Sequence, residues 1–310
     1  MRQLSGAILV VIAAIGFGFM GLFGSWAMNA GVSVEMMLFL RFAIAGAIMS
    51  IIMVGRGERW PRGRILLGLI GMGAALYVGE AMFFFHATRH IPVGLVSLLL
   101  YIYPVIVTLY AWLFLHQPLR GGRLLALILA LAGLALTIGP TILNGSGDGV
   151  AGGNPVVGVL LGLGCCVTYS VYILVGGPMT RRAGAIPGST IVILSAASVL
   201  GAIALIRGDE LPRDGHAWLG IVLLALASTV IAITAVLVGL ERIGPVQTSM
   251  LSTLEPVVTV LVGAGLMGQR LTLPQMAGGA LIVLAAVIIA RTVTASPQSP
   301  PSDADVLEIH

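Results

Sequence analysis

Residues 91–119 of the chain read IPVGLVSLLLYIYPVIVTLYAWLFLHQPL, and residues 243–271 read IGPVQTSMLSTLEPVVTVLVGAGLMGQRL. The two stretches align at a constant offset of 152 residues, about half of the chain. The identical pairs at this offset are Ile91 and Ile243, Ser97 and Ser249, Leu99 and Leu251, Pro104 and Pro256, Val105 and Val257, Leu109 and Leu261, Gln117 and Gln269, and Leu119 and Leu271. Each copy places a proline in the middle of an apolar run long enough to cross a bilayer. Duplicated hydrophobic helices with matching interruptions are typical of secondary transporters built from two repeats.

The composition excludes a soluble protein. Charged residues make up 9% of the chain and hydrophobic residues 58%, whereas a soluble domain carries roughly 25% charged residues. The net charge of +4 comes from arginine alone, since the chain has no lysine. These arginines lie in short loops between apolar runs, which is typical of membrane topology determinants and not of a nucleic-acid surface. Cys165 and Cys166 are adjacent within an apolar run, and we interpret them as small buried residues.

Ten apolar runs of about 20 residues follow one another along the chain. In chain order, runs 1 to 10 cover residues 5–28, 34–54, 65–86, 92–115, 121–140, 155–176, 187–206, 216–239, 245–267 and 273–292. At ~1.5 Å of rise per residue, a helix of this length spans the ~30 Å hydrocarbon core of a bilayer. The sequence therefore predicts ten transmembrane helices.

The arginines give these helices an orientation. A cytoplasmic N-terminus puts most of them, including the cluster Arg56–Arg64, in inner loops. Both termini are then cytoplasmic, and five helices per half make the halves inverted repeats. We therefore predict an all-α integral membrane protein with ten transmembrane helices in two inverted five-helix repeats. Its parts are a first repeat at 1–143, a linker at 144–154, a second repeat at 155–293 and a disordered cytoplasmic tail at 294–310.

The two matched prolines are the first candidate functional residues. A proline inside a helix removes one backbone hydrogen bond and frees the carbonyl four residues earlier. For Pro104 this is the carbonyl of Leu100, and for Pro256 that of Ser252. Within lipid a freed carbonyl needs another partner, such as a neighbouring helix, water or a substrate. A simple kink is the alternative for either proline alone, but the symmetric pair favours a hinge or a cavity role.

Three charged residues fall within the predicted membrane segments: Arg41 in run 2, Glu80 in run 3 and Glu255 in run 9. An ionised group at such depth costs at least ~2.5–3.5 kcal/mol, so each must face a partner or a wet cavity. Arg41 and Glu80 lie at similar depth, which leaves two interpretations: a salt bridge, or an anion-binding arginine beside a proton-carrying glutamate. Glu255 directly precedes Pro256, and a desolvated carboxyl there can bind a proton or a substrate amine.

Aromatic side chains at similar depth are candidates for the wall of a cavity. Tyr103 occupies the position in the first repeat that Glu255 occupies in the second, and it joins Arg41, Glu80 and Glu255 as a predicted substrate-binding or coupling residue. The weaker cavity candidates are Tyr77, His86, Tyr101 and Tyr169, and Trp112 and Tyr172 are further aromatic residues of these runs. Ordinary packing or an interfacial aromatic belt is the alternative for each aromatic ring. For His86 the functional interpretation is protonation.

The order of these motifs resembles the EamA family of the drug/metabolite transporter superfamily. The resemblance covers residues 5–292, and its markers are Gly24-Ser25-Trp26, Arg41-Phe42, Tyr103-Pro104-Val105 and Leu254-Glu255-Pro256-Val257. Membership implies ten helices built from two five-helix repeats. The chain departs from the family where a leucine-glycine-glutamate run often ends helices 4 and 9. Here the sequence reads Leu115-His116-Gln117 and Met267-Gly268-Gln269, so both acids are replaced by amides.

We therefore expect an inner-membrane secondary transporter that exports a small metabolite such as an amino acid, by proton antiport or exchange. Its partners are the substrate, the bilayer and protons as a candidate coupling ion, with no nucleic acid, and the oligomeric state stays open. The expected cavity lies between runs 1, 3, 4, 6, 8 and 9. Multidrug efflux is the alternative within transport, and a lipid-modifying membrane enzyme is the distant one. The chain has no Walker, zinc-protease or nucleophile-elbow motif, so we predict no enzyme, no cofactor and no metal site.

Overall fold

A computed structural model describes residues 2–114, 121–143, 152–252 and 254–294. These residues form α-helices and two π-helical segments and contain no β-strand, which confirms the predicted all-α class. In chain order the helices are α1 Arg2–Gly18, α2 Met20–Asn29, α3 Val34–Gly55, α4 Gly63–Gly71, α5 Val78–Ala87, α6 Val93–Leu100, α7 Tyr103–Phe114, α8 Gly122–Leu143, α9 Pro155–Ala183, α10 Ala185–Arg207, α11 Gly215–Ala225, α12 Ala232–Ser252, α13 Leu254–Leu266 and α14 Leu273–Thr294. The π-helical segments are Met72–Tyr77, between α4 and α5, and Leu226–Ile231, between α11 and α12.

Six spans in the described part of the chain are long and apolar enough to cross a membrane, and they match runs 1 to 3 and 6 to 8. They are Leu4–Asn29, Val34–Gly55, Gly63–Ala87, Pro155–Gly176, Ala185–Arg207 and Gly215–Gly239. Shorter apolar helices occupy runs 4, 5, 9 and 10. Large apolar side chains such as Leu205, Ile206 and Leu261 are exposed on the outside of the bundle, as lipid contact requires.

Polar side chains fix where two of the long helices begin. The Ser33 hydroxyl accepts a hydrogen bond from the Met36 amide at 3.1 Å and caps the N-terminus of α3. The Asn154 side chain accepts hydrogen bonds from the amides of Val156 and Val157 at 3.1 and 3.2 Å. Pro155, which follows it, stands at the first helical position, where its missing N–H costs nothing.

The first proline-containing run is interrupted just before its proline. In the first repeat α6 ends at Leu100 and α7 begins at Tyr103, so Tyr101 and Ile102 form a turn between two helices. In the second repeat Pro256 lies in α13, and residue 253, between α12 and α13, is outside the described part of the chain.

The predicted boundary between runs 8 and 9 is wrong. The sequence suggested a loop between residues 239 and 245, but α12 continues from Ala232 to Ser252. The reason is the packing of α1 along α12, which reaches Ile243 within the expected loop. A Cβ atom added at Gly6 of α1 would lie 2.6 Å from the Ile243 side chain, so the two helices are in close contact there.

The helices of the two halves are packed against each other in pairs. α3 packs on α10, α8 on α14, α1 on α12, and α5 on α9. The backbones of α8 and α14 are in close contact: a Cβ atom added at Gly133 would lie 2.6 Å from the carbonyl oxygen of Gly278. Small residues allow membrane helices to approach in this way. The α8–α14 pair lies away from the cavity described below.

Parts of three predicted features lie outside the described residues. They are the Leu115-His116-Gln117 segment, residues 144–151 of the linker and residues 295–310 of the tail. The backbone of Pro104 belongs to α7, and its side chain and that of Trp112 are also outside the description.

Candidate functional site

A cavity of about 380 Å³ lies in the middle of the bundle, where the two repeats meet. The charged residues Arg41, Glu80 and Glu255 all line it, although they come from α3, α5 and α13. Tyr77, Tyr101, Tyr103 and Tyr169 line it as well. Of the side chains that the sequence singled out for a site, the structure therefore brings seven together in one cavity.

The set of helices around the cavity is larger than the sequence suggested. Run 2 lines it through Arg41, which was predicted as a substrate-binding residue, and run 7 contributes Ser189, Val192 and Ile193, although it was not among the runs expected to line it. The cause is the packing of α10 against α3, which places the first turns of α10 beside the other cavity helices.

Arg41 is buried in α3, with 4% of its surface exposed, and it is held by the opposite repeat. Its Nε donates a hydrogen bond to the Thr229 hydroxyl at 2.9 Å, and its guanidinium carbon lies 5.0 Å from the centroid of the Phe42 ring. The salt bridge to Glu80 that the sequence allowed is absent among the described residues, because no ion pair within 4.0 Å joins the two side chains. Among the described residues, Nε is the Arg41 atom that donates a hydrogen bond, which leaves the two terminal nitrogens for the cavity.

Glu80 lies in the first turn of α5, directly after the π-helical segment Met72–Tyr77. Its carboxylate lies 3.8 Å from the Cys165 thiol, which donates a weak hydrogen bond to Oε1. Glu80 also interacts electrostatically with Arg41 and with Glu255.

Glu255 lies in the first turn of α13, and its carboxylate meets the interrupted run of the first repeat. The hydroxyl of Tyr101, at the end of α6, lies 3.0 Å from Glu255 Oε2 and 2.6 Å from the carbonyl oxygen of Ser252. This is the carbonyl that Pro256 frees, so a residue of the first repeat provides the partner that the sequence required. A phenol has one proton and can donate it to one acceptor at a time. The Ser252 carbonyl and an ionised Glu255 therefore compete for the same proton.

Five tyrosines form a connected row along one wall of the cavity. The ring centroids are 6.2 Å apart for Tyr101 and Tyr103, 4.8 Å for Tyr103 and Tyr169, 6.1 Å for Tyr169 and Tyr172, and 5.8 Å for Tyr172 and Tyr77. The whole chain has six tyrosines, so most of its phenol groups are gathered here. An aromatic wall of this kind offers π faces to cations and apolar groups alike.

His86 does not line the cavity, and its placement among the cavity candidates is wrong. It occupies the last turn of α5, where its Nε2 lies 3.7 Å from Glu35 Oε1 at the start of α3. Arg207, at the end of α10, forms an ion pair with the same Glu35 oxygen. We call Glu35, His86 and Arg207 the Glu35 cluster. The Ser33 hydroxyl donates to Asp209 Oδ2 at 2.7 Å beside it, so this end of the bundle ties the repeats together.

Three features of the site were missed from the sequence. The first is the contact of Thr229 with Arg41. The second is the hydrogen bond that Gln269 accepts from the Val93 amide at 3.0 Å. The third is the pair of π-helical segments, one before α5, which carries Glu80, and one before α12, which begins at Ala232. The polar pair Ser228-Thr229 in the centre of run 8 was the signal for the first of these. Among the described residues, no group of three His, Cys, Asp or Glu side chains is placed to bind a metal ion.

Comparisons with known proteins agree with this architecture. The sequence matches the EamA-like transporter family over residues 4–139 and again over residues 156–291. The chain is similar to the uncharacterized inner membrane transporter YedA of Escherichia coli (strain K12), with 27% identity over 82% of this chain and 80% of YedA. It is also similar to an uncharacterized transporter of Archaeoglobus fulgidus, with 26% identity over 81% of this chain and 87% of the relative.

A solved crystal structure shares the fold: it aligns with 93% of this chain and 98% of its own, at a TM-score of 0.62 and 23% identity. The uncharacterized transporter YcbK of Bacillus subtilis (strain 168) is 22% identical over 88% of this chain and 89% of its own length. The apolar helices and these relatives identify a multi-pass membrane protein. Because the family match spans both halves of the chain, the protein belongs to the EamA-like transporter family.

Proposed function

We propose that the protein is a secondary transporter that exports a small zwitterionic metabolite, such as an amino acid, across the inner membrane by alternating access. The observation that carries this proposal is the central cavity, in which Arg41 and Glu255 offer charges of opposite sign. A free amino acid carries a carboxylate and an ammonium group on neighbouring atoms. Arg41 has free terminal nitrogens for the carboxylate, and Glu255 has an oxygen for the ammonium group.

The proposed topology has ten transmembrane helices, both termini in the cytoplasm and two inverted repeats. In this topology the Glu35 cluster lies at the outer end of the bundle, where its ion pairs hold α3, α5 and α10 together. A second cavity of about 520 Å³, lined by Arg56 and Arg242, lies at the inner end and shares Leu237 with the central one. Both features support an inward-facing state, which is the state that loads a substrate for export.

Proton coupling at Glu255 is the proposed drive. When Glu255 is ionised, it competes with the Ser252 carbonyl for the Tyr101 proton. When Glu255 is protonated, its own hydroxyl can donate to the Tyr101 oxygen, while Tyr101 donates to Ser252. The charge of Glu255 is in this way linked to the backbone of α12 at the Ser252 carbonyl. Glu80, which interacts with Glu255, is the second candidate for carrying the proton.

The test uses purified protein in liposomes, with radiolabelled amino acids and an imposed pH gradient. We expect gradient-driven accumulation in the wild-type protein and a loss of at least tenfold in Glu255→Gln, on the order of the energy of a charged hydrogen bond. Glu210→Gln is the matched control, because Glu210 is exposed and its ion pair with Arg213 is worth little. If substrate exchange is independent of the pH gradient in both the wild-type protein and Glu255→Gln, the mechanism is facilitated exchange and not proton antiport.

Multidrug efflux is the second candidate, and the tyrosine row favours it. Aromatic faces bind organic cations without requiring a carboxylate on the ligand. The same liposomes, loaded with a cationic dye, separate the two functions. Transport of the dye with no transport of any amino acid would contradict the zwitterion proposal and support efflux.

A further inference from the structure

The second π-helical segment, Leu226–Ile231, contains the residue that holds Arg41. Ser228 and Thr229 lie at its centre, and both side chains are fully buried in a membrane-spanning helix. A buried hydroxyl in such a place needs a hydrogen-bond partner, and each of these two has one from the opposite repeat. The segment is therefore the point at which a helix of the second repeat is tied to two helices of the first.

The Thr229 hydroxyl has both its hydrogen-bonding roles fixed. It donates to the carbonyl oxygen of Leu224 at 3.0 Å and accepts from Arg41 Nε at 2.9 Å. Leu224 is five residues earlier in the chain, which is the spacing of a π-helix. The regular helix α10 shows the usual arrangement instead, because Thr190 donates to Ile186, four residues earlier, at 2.8 Å. The π-helical segment thus orients the free lone pair of Thr229 towards Arg41.

The segment itself cannot move freely against α1. The Ser228 hydroxyl donates to the carbonyl oxygen of Gly16 at 2.5 Å. A Cβ atom added at Gly16 would lie 2.6 Å from the carbonyl oxygen of Ala227, so the two backbones are in contact. Thr229 is consequently held in place from the α1 side, while it holds Arg41 on the α3 side.

The contact determines which edge of the guanidinium group faces a ligand. With Nε engaged by Thr229, the two terminal nitrogens remain as the pair that can bind both oxygens of a carboxylate. A guanidinium without this contact rotates about its flexible side chain and presents no fixed edge. We propose that Thr229 is a positioning residue that sets the preference of the cavity for a substrate carboxylate, an inference that rests on the proposed function.

The experiment compares Thr229→Val, Thr229→Ser and the control Thr190→Val, which removes a hydroxyl that is bonded to the carbonyl of Ile186 within α10. Each protein, reconstituted at equal amounts of folded material, is assayed with radiolabelled leucine and with 3-methylbutylamine, which is leucine without its carboxylate. We expect Thr229→Val to raise the KM for leucine about tenfold, with kcat and the transport of the amine unchanged. Thr229→Ser should restore the wild-type KM, and Thr190→Val should keep it.

Two results overturn the inference. One is an unchanged KM for leucine in Thr229→Val, and the other is an equal loss for leucine and for the amine, which indicates a general packing role. A wild-type protein that moves neither compound contradicts the proposed function instead. In that case the unfolding midpoints of Arg41→Gln, Thr229→Val and the double variant decide whether Thr229 holds Arg41. Non-additive changes in the unfolding midpoint support the contact between Thr229 and Arg41, and additive changes contradict it.

Discussion

The two repeats build the same cavity wall from positions that match in place but not in chemistry. At the offset of 152 residues, Arg41 corresponds to Ile193, Tyr103 to Glu255, and Met20 to Tyr172, and all six residues line the cavity. The first repeat supplies the cation Arg41, and the second supplies the acid Glu255 at the position of Tyr103. The duplication thus fixes the frame of the cavity, and a few single-residue differences between the copies give it opposite charges. Substitutions that restore the symmetry test this view directly.

The largest expected effect comes from Arg41→Ile, which gives the first repeat the residue of the second. The change removes the cavity's cation and leaves a substrate carboxylate without a partner. We expect kcat/KM for an amino acid to fall on the order of 100-fold, because the loss of one partner from a buried charge pair costs ~2–5 kcal/mol. Uptake of the amino acid into liposomes measures this change in kcat/KM. Arg213→Ile, at an exposed ion pair, is the control and should change transport little.

A smaller effect is expected from Tyr101→Phe, which cuts the link between the turn before α7 and the residues Ser252 and Glu255. The variant leaves the Ser252 carbonyl and Glu255 without the shared hydroxyl. We expect about a tenfold loss of gradient-driven transport and a loss of ~1–3 kcal/mol in the free energy of unfolding. Combining it with Glu255→Gln should cost little more than either change alone, since both break one linkage. Fully additive losses would show that Tyr101 and Glu255 act separately.

Met20 occupies in the first repeat the position that Tyr172 occupies in the second. Tyr172→Met therefore puts methionine at this position in both repeats, and it interrupts the tyrosine row between Tyr169 and Tyr77. Zwitterion transport should stay near the wild-type level, because neither charged contact is touched. Binding of a cationic dye should weaken about three- to tenfold, which corresponds to one cation–π contact of ~0.5–2 kcal/mol. Fluorescence titration of the dye is the measurement. Equal weakening for an amino acid would mean that the row serves both ligand classes.

The smallest effect concerns Gln269, an amide side chain between α13 and α14. Gln269 Oε1 accepts a hydrogen bond from the Val93 amide at the start of α6, so it acts as a helix cap supplied by the other repeat. Gln269→Leu should lower the free energy of unfolding by ~1 kcal/mol, whereas Gln269→Glu, whose carboxylate also accepts, should not. Thermal unfolding in detergent distinguishes them. An equal loss in both variants would indicate that the amide nitrogen also matters.

The residues that the sequence predicted best are those that are costly to bury. Arg41, Glu80 and Glu255 stand out in apolar runs, and a charge in a membrane implies a cavity whatever the detailed fold. Pro104 was predicted to interrupt its helix for an equally local reason, because a proline removes a backbone hydrogen bond. Such constraints are visible in one or a few residues, so no knowledge of neighbouring helices was needed.

The features that were missed depend on contacts between distant parts of the chain. Arg41 and Thr229 are 188 residues apart, and nothing in either run indicates that they meet. His86 was placed in the cavity because its depth was suitable, but its face of α5 is turned to Glu35. The continuity of α12 likewise depends on α1, which packs beside it. Depth follows from the position within a run, whereas the direction of a side chain follows from packing.

The π-helical segment Leu226–Ile231 carries a further consequence for heat resistance. A π turn contains one residue more than the α turn it replaces, so the deletion of one residue would let an unbroken α-helix run from α11 into α12 without rotating the residues on either side. Regular helices are the more stable form, and we expect such a deletion variant to unfold at a higher temperature while it loses the orientation of Thr229. The extra residue of the π turn therefore lowers the unfolding temperature of the protein. The cavity requires this turn, because the turn orients Thr229 towards Arg41.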